Sequence, residues 1–292
     1  VDERDGLTER FEAQRGQLRA VAYRMLGSLD DADDAVQEAW LRLGRVDADG
    51  VENLGGWLRT VVTRICLDVL RSRRSRREDL AEQQVLDQAF RAQESLPEDE
   101  ALLTESVSRA LLVVLDTLDP VERVAFVLHD MFAVPFKEIA PIVGRTPVTT
   151  KKLASRARHK LRGTPAVPAA ELARHRQVVS AFLTAARAGD LTAILAVLAP
   201  DVVRRADPAA VPPGGVAEVR GARAVAEGTA ALAHRSRSAE LALVDGAVGV
   251  IVAPRGRLAC VLAFVIVDGR IAEYDVIADP ARLRRLDLAV LD

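Results

Sequence analysis

The sequence predicts a multidomain chain: two all-α modules, the second built around a helix-turn-helix, followed by an α+β module. Three observations predict it. Apolar residues recur at helical spacing through two blocks of the N-terminal half, with a Gln/Glu-rich stretch between them. The segment Thr164-Pro165-Ala166-Val167-Pro168 then marks a second linker. Beyond it, helices give way to strand-like runs joined by Asp-Gly and Arg-Gly pairs.

The first module covers residues 1–78. Leu18, Val21, Ala22, Met25, Leu26 and Leu29 repeat at helical spacing, as do Ala32, Ala35, Val36, Ala39, Trp40 and Leu43. A break at Asp47–Gly50 precedes a third helix with Leu58, Val61, Val62, Ile65 and Val69 as its buried stripe. Its opposite face carries Thr60, Arg64, Asp68 and Arg71. Residues 79–104 read as a linker that includes Leu96-Pro97-Glu98.

The second module covers residues 105–163. Val107, Leu111, Val114, Leu115 and Leu118 mark one helix. Asp119-Pro120-Val121-Glu122 supplies an N-cap, a proline at the first helical position and a capping-box acid. Pro135 opens a short helix and Gly144 closes it, and Thr146-Pro147 caps the next. Pro141 inside the short helix removes a backbone donor and predicts a bend. The last helix displays Lys151, Lys152, Arg156 and Arg158 while Leu153 and Ala157 face inward, which fits a DNA-reading helix.

A linker at 164–172 leads to the third module, 173–292. Helices at about 171–188, 190–198 and 222–233 precede strands Ala239–Val244, Ala247–Val252, Leu258–Val267 and Ile271–Ile277. Turns at Asp245-Gly246, Arg255-Gly256 and Asp268-Gly269 suit antiparallel hairpins. At 292 residues the chain suits two or three domains of ~100 residues each.

Composition narrows the function classes. No segment reaches the ~18 uninterrupted apolar residues of a membrane span. The charged N-terminus lacks the apolar core of a secretory signal, and a cytoplasmic location is expected. Cys66 and Cys260 stand far apart with no Cys/His cluster, so reduced thiols, no metal and no cofactor are expected. A net charge of −2 argues against a bulk nucleic-acid coat, but the charge is sorted into patches. Five acids and no base lie between Asp30 and Glu38, whereas Arg71, Arg73, Arg74, Arg76 and Arg77 have no acid among them.

Two stretches of the first module carry a resemblance. They are Tyr23-Arg-Met-Leu-Gly-Ser through Asp33-Asp-Ala-Val-Gln-Glu-Ala-Trp-Leu-Arg-Leu43, and Trp57-Leu-Arg-Thr-Val-Val-Thr-Arg-Ile-Cys-Leu-Asp68. They resemble the promoter-melting domain of extracytoplasmic-function sigma factors. Phe136-Lys-Glu-Ile-Ala140, Val143-Gly144 and Leu153-Ala-Ser-Arg-Ala-Arg158 resemble that family's helix-turn-helix domain. The third module looks like a SnoaL-like domain of the cone-shaped nuclear-transport-factor-2 fold.

The resemblance implies an alternative sigma factor with core RNA polymerase and promoter DNA as partners. It places Asp33, Asp34, Gln37, Glu38 and Leu41 on the polymerase. It places Asn53, Thr60, Arg64, Asp68 and Arg71 at the −10 element, with Arg73 and Arg74 in the run that grips phosphate. For the −35 element it implies Thr149, Lys151, Lys152 and Arg156, with Arg158 and Lys160 on phosphate. Thr150 stands where relatives carry an apolar residue. The terminal element Ala278-Asp-Pro-Ala-Arg-Leu283 varies an Asn-Pro-Asp-Lys-Leu box, so Asp279, Pro280, Arg282 and Leu283 are expected to tune the sigma domains in cis. The linker and the Ala206–Gly215 loop match the corresponding family motifs poorly.

Two rival readings remain open on the residues alone. One is a helix-turn-helix regulator with a small-molecule-sensing pocket in the third module. The other is a cone-fold isomerase or cyclase, for which Asp201, Asp207, His234, Tyr274 and Asp275 are the acid–base candidates. No clustered pair is evident among them, so no enzyme activity is expected.

Overall fold

The computed structural model describes residues 3–45, 53–79, 107–211 and 214–291. The break at Asp47–Gly50, Leu96-Pro97-Glu98 and the linker at 80–104 lie outside the described residues. The chain forms two compact units, Val1–Ala81 with Leu115–His159, and Glu82–Val114 with Lys160–Asp292.

The described N-terminal part of the chain is helical: α1 (Glu3–Leu26), α2 (Leu29–Leu43), α3 (Leu54–Asp79), α4 (Arg109–Asp116, most of it in the second unit), α5 (Pro120–Phe126), α6 (Phe136–Val143) and α7 (Pro147–Arg162). Helices α4 and α7 run across the unit boundary. Local chemistry fixes most ends. Gly27 at φ 70° follows α1, and Ser28 caps α2 by accepting from the Asp31 amide at 3.3 Å. Asp119 caps α5 through the Val121 amide at 3.0 Å, with Pro120 at the first helical position. Gly144 at φ 65° ends α6, and Thr146 accepts from the Thr149 amide at 3.2 Å to start α7. A π-helical turn at Val127–Met131 extends α5 and was not foreseen. Helix α6 runs through Pro141, which lies on its exposed side.

The buried face of α3 is wider than the predicted stripe. Leu58, Val62 and Ile65 are buried as expected, but Val61 and Val69 are only half-buried, and Thr63, Cys66, Leu67 and Leu70 join the core. The reason is that α3 packs against α1 and α2 and also against α5 and α6. On α7 the inward residues are Thr150, Ala154, Ala157 and Leu161, while Leu153 is half-buried. Buried Thr150 donates its hydroxyl to the Thr146 carbonyl at 2.9 Å, so its polar side chain is satisfied within the helix.

The second unit contains α8 (Ala169–Ala188), α9 (Leu191–Val197), β1 (Leu198–Ala206), β2 (Glu218–Arg220), α10 (Ala222–Ala231), α11 (Ala233–Ser236), β3 (Ala239–Val244), β4 (Ala247–Val252), β5 (Cys260–Val267), β6 (Arg270–Ile277), α12 (Pro280–Leu283) and β7 (Leu288–Val290). Seven strands form one sheet in the order β2-β1-β6-β5-β4-β3-β7. Among the described strands only β1 with β6 pairs in parallel. Positive φ at Asp245, Gly246, Asp268 and Gly269 makes the two tight hairpins as predicted. The expected helix at 222–233 is two helices, β5 starts at Cys260, and β1, β2 and β7 are additional.

Helix α8 seals one face of the sheet. Val179 and Leu183 meet Val248, Val250, Val252 and Cys260. Phe182 belongs to a second cluster with Ile194, Leu198, Val202, Ile271 and Tyr274. This is the α+β arrangement expected of the third module.

Candidate nucleic-acid interface

Helix α2 presents an acidic face opposite its buried Ala32, Ala35, Val36, Ala39 and Leu43. Asp33, Asp34, Gln37 and Leu41 are exposed and Glu38 is half-buried. Asp33 is held by a two-pronged bond from Arg19 of α1, at 2.6 and 2.9 Å. Glu38 accepts from Arg42 one turn on at 2.8 Å. Leu41, 51% exposed, therefore stands as an apolar residue within an acidic surface.

On α3, Arg64, Asp68 and Arg71 form one exposed strip, with Arg71 3.7 Å from Asp68. Asn53 accepts from the Gly56 amide at 2.9 Å as the helix begins, and Thr60 donates to the Gly56 carbonyl at 2.9 Å. Arg73 turns inward to the Leu26 carbonyl at 3.1 Å and to Asp31 at 2.5 Å. Arg74 pairs with Asp119, the cap of α5. Asn53 and Thr60 therefore also hold local structure, Arg73 ties α3 to α1 and α2, and Arg74 joins α3 to α5. A depression of about 430 Å³ lies there, lined by Arg71, Arg74, Asp119, Val121 and Arg145. Sequence reasoning did not single out Arg145, an exposed cation in the turn before α7.

On α7, Lys151, Lys152, Arg156 and Lys160 are exposed on the side away from the core. Thr149 is half-exposed and shares a hydrogen bond with the Thr146 hydroxyl at 2.9 Å. Arg158 is bonded to Asp130 at 2.6 Å, so it ties α7 to the π-helical turn. Val148, in the first turn, is 68% exposed, an apolar residue with no charge pattern to mark it in the sequence.

In the second unit, Asp279 caps α12 through the Arg282 amide at 2.8 Å. Arg282 in turn pairs with Asp207. Asp207 also accepts from the Ala278 and Asp279 amides at 3.0 Å each. Burial raises its carboxyl, but the two amides and Arg282 outweigh that and hold it below the usual carboxylate range. The terminal element Asp279, Pro280, Arg282 and Leu283 is thus clasped to its own domain. Tyr274 donates to or accepts from Thr229 at 3.1 Å, and burial raises its phenol. Phe182, Phe264 and Tyr274 meet in tilted and edge-on pairs, with ring centroids 5.5–5.7 Å apart, between α8 and the sheet. Among the described residues no group of three or more His, Cys, Asp or Glu could hold a metal ion. No described helix is long and apolar enough to cross a membrane.

Within the second unit, the segments at the start of α4 and after α7 bond to the sheet. Glu240 of β3 accepts from the Ser108 hydroxyl at 2.5 Å and from the Ala110 amide at 3.2 Å, at the start of α4. After α7, the Ala166 amide donates to the Gly246 carbonyl at 2.8 Å in the turn that ends β3. A methyl group on Gly163 would come within 2.5 Å of the Ala289 side chain on β7.

Residues 10–76 match the family Sigma-70 region 2, and residues 108–161 match Sigma-70, region 4. The chain is 35% identical over 289 residues to a probable ECF RNA polymerase sigma factor, SigI, of Mycobacterium tuberculosis, covering 97% of each. It is 36% identical over 284 residues to the ECF RNA polymerase sigma factor SigJ of the same organism, covering 92% of this chain and 91% of that one. The crystal structure of M. tuberculosis SigJ is similar over 94% of this chain and 98% of that one, at 32% identity and a TM-score of 0.47.

Proposed function

Because the chain belongs to the extracytoplasmic-function sigma factors of the sigma-70 family, we propose that it binds core RNA polymerase and directs initiation at a −10/−35 promoter. The observation that carries the reading is the split of exposed chemistry between two helices. An acidic, apolar-centred face on α2 suits a basic protein surface, and a cationic face on α7 suits duplex DNA. Asp34, Gln37 and Leu41 are the core of the polymerase contact, flanked by Asp33 and Glu38. Arg64, Asp68 and Arg71 face the −10 strand, with Asn53 and Thr60 shaping the start of that surface. Arg73 supports it from behind, and Arg74 reaches phosphate after leaving Asp119. Lys151, Lys152, Thr149 and Arg156 address the −35 groove, with Lys160 on phosphate and Arg158 positioning the helix.

The C-terminal domain acts in cis on region 4. Support comes from Glu240 and Gly246, at opposite ends of β3, which bond to the start of α4 and to the segment after α7. Asp279, Pro280, Arg282 and Leu283 serve this role through the Asp207 clasp, by fixing the end of the domain. The rival small-molecule reading gains no specific observation, since the aromatic cluster of Phe182, Phe264 and Tyr274 packs as core between α8 and the sheet.

The test is run-off transcription with core polymerase, comparing the full chain with one ending at Gly163. Specific transcripts that need both core enzyme and this chain are expected. A tight operator complex without polymerase would overturn the sigma reading. Unchanged polymerase affinity and transcription after removal of residues 166–292 would overturn the cis role.

A further inference from the structure

Within the first unit, two large apolar side chains are more than half exposed among the described residues: Leu41 and Val148. Leu41 sits inside the surface assigned to polymerase. Val148 is the second residue of α7, the helix assigned to the −35 element, and at 68% it is the more exposed of the two.

A lone exposed valine is ordinary on a protein surface. Its position here is not. The residues of a recognition helix that meet base edges lie toward its N-terminal end. Val148 lines up with Lys152, Ser155 and His159, all exposed, at intervals of four, three and four residues. Thr150, Ala154, Ala157 and Leu161 fill the opposite, buried side. Helix stability does not explain the choice, because valine is a weaker helix former than alanine. A valine side chain offers no hydrogen bond, so it contributes nothing to a phosphate beyond what the backbone of any residue there would. The one feature of a major-groove edge that matches it is the thymine C5 methyl.

We infer that Val148 is a specificity-determining residue that reads one thymine of the −35 element through its C5 methyl. The inference rests on the sigma reading above and adds to it the chemistry of one base contact. Loss of one such methyl contact amounts to about a fourfold change, or ~0.8 kcal/mol for a group of that size.

The test uses holoenzyme reconstituted from core polymerase and the full chain, selecting from promoters randomised in the −35 element. One library carries thymine there and a second carries deoxyuridine, which lacks only the methyl. The wild-type chain should enrich thymine at one position, and deoxyuridine there should lower recovery about fourfold. Val148→Ala should treat the two bases alike at that position and keep its preferences elsewhere. Equal recovery of both libraries by the wild type overturns the inference, as does an undiminished methyl preference in V148A. If the wild type enriches no sequence at all, the sigma reading falls, and this contact with it.

Discussion

Glu240 on β3 bonds at once to the Ser108 hydroxyl and to the Ala110 amide, across 132 residues of chain. A carboxylate at a helix start satisfies amides that have no partner within the helix and favours the positive end of its dipole. Ser108 also accepts from the Leu111 amide at 3.2 Å, so the two side chains cap α4 together. Glu240→Ala should lower stability by about 1–2 kcal/mol. Glu240→Gln, which keeps an acceptor, should cost less. Urea denaturation measures the loss, and faster exchange of the Ala110 and Leu111 amides locates it. Unchanged exchange at both would deny the contact a structural role.

Leu41 separates binding from folding. Its side chain lies outside the α2 core, so Leu41→Asp should leave the melting temperature within a degree or two. The same change should weaken core polymerase binding about tenfold or more, since it removes an apolar anchor at the middle of a contact. Titration of labelled core enzyme reads the affinity, and calorimetry checks the fold.

Asp207 makes part of the stability depend on acid. Its folded carboxyl is held below the ordinary value of ~3.9 by the Asp279 and Ala278 amides and Arg282, which outweigh burial. A depressed folded pKa contributes stability that is fully present above the unfolded value and is lost as pH falls through the folded one. Asp207→Asn should therefore be less stable near neutrality. It should also lose less melting temperature than the wild type between about pH 7 and about pH 3. Parallel curves for the two proteins would contradict the assignment.

Both thiols should be inert in the folded chain. Burial pushes Cys66 and Cys260 each up to about 12. At about pH 8 neither should be alkylated by iodoacetamide until urea unfolds the protein, when both should react. Intact mass gives the count directly.

Capping and turns were legible in the sequence because their causes are local. Asp119-Pro120, Gly144, Thr146, Asp245-Gly246 and Asp268-Gly269 each fix a backbone choice within a few residues. Strand β1 was missed because Leu198–Ala206 mixes proline and charge with no alternation, and it becomes a strand by parallel pairing with β6. The broad buried face of α3 was missed for a related reason: it answers two sets of neighbours.

The candidate surfaces divide in the same way. Sequence alone set the acidic run of α2, the basic run of α7 and the order of the three modules. Tertiary structure decided which charges remain available. Arg73 is turned in to Leu26 and Asp31, Arg74 is joined to Asp119, and Arg158 is joined to Asp130. The physical reason is distance along the chain. A hydrophobic period or a cap is written within one turn, but an ion pair such as Arg74 with Asp119 spans 45 residues and exists only once the helices have packed.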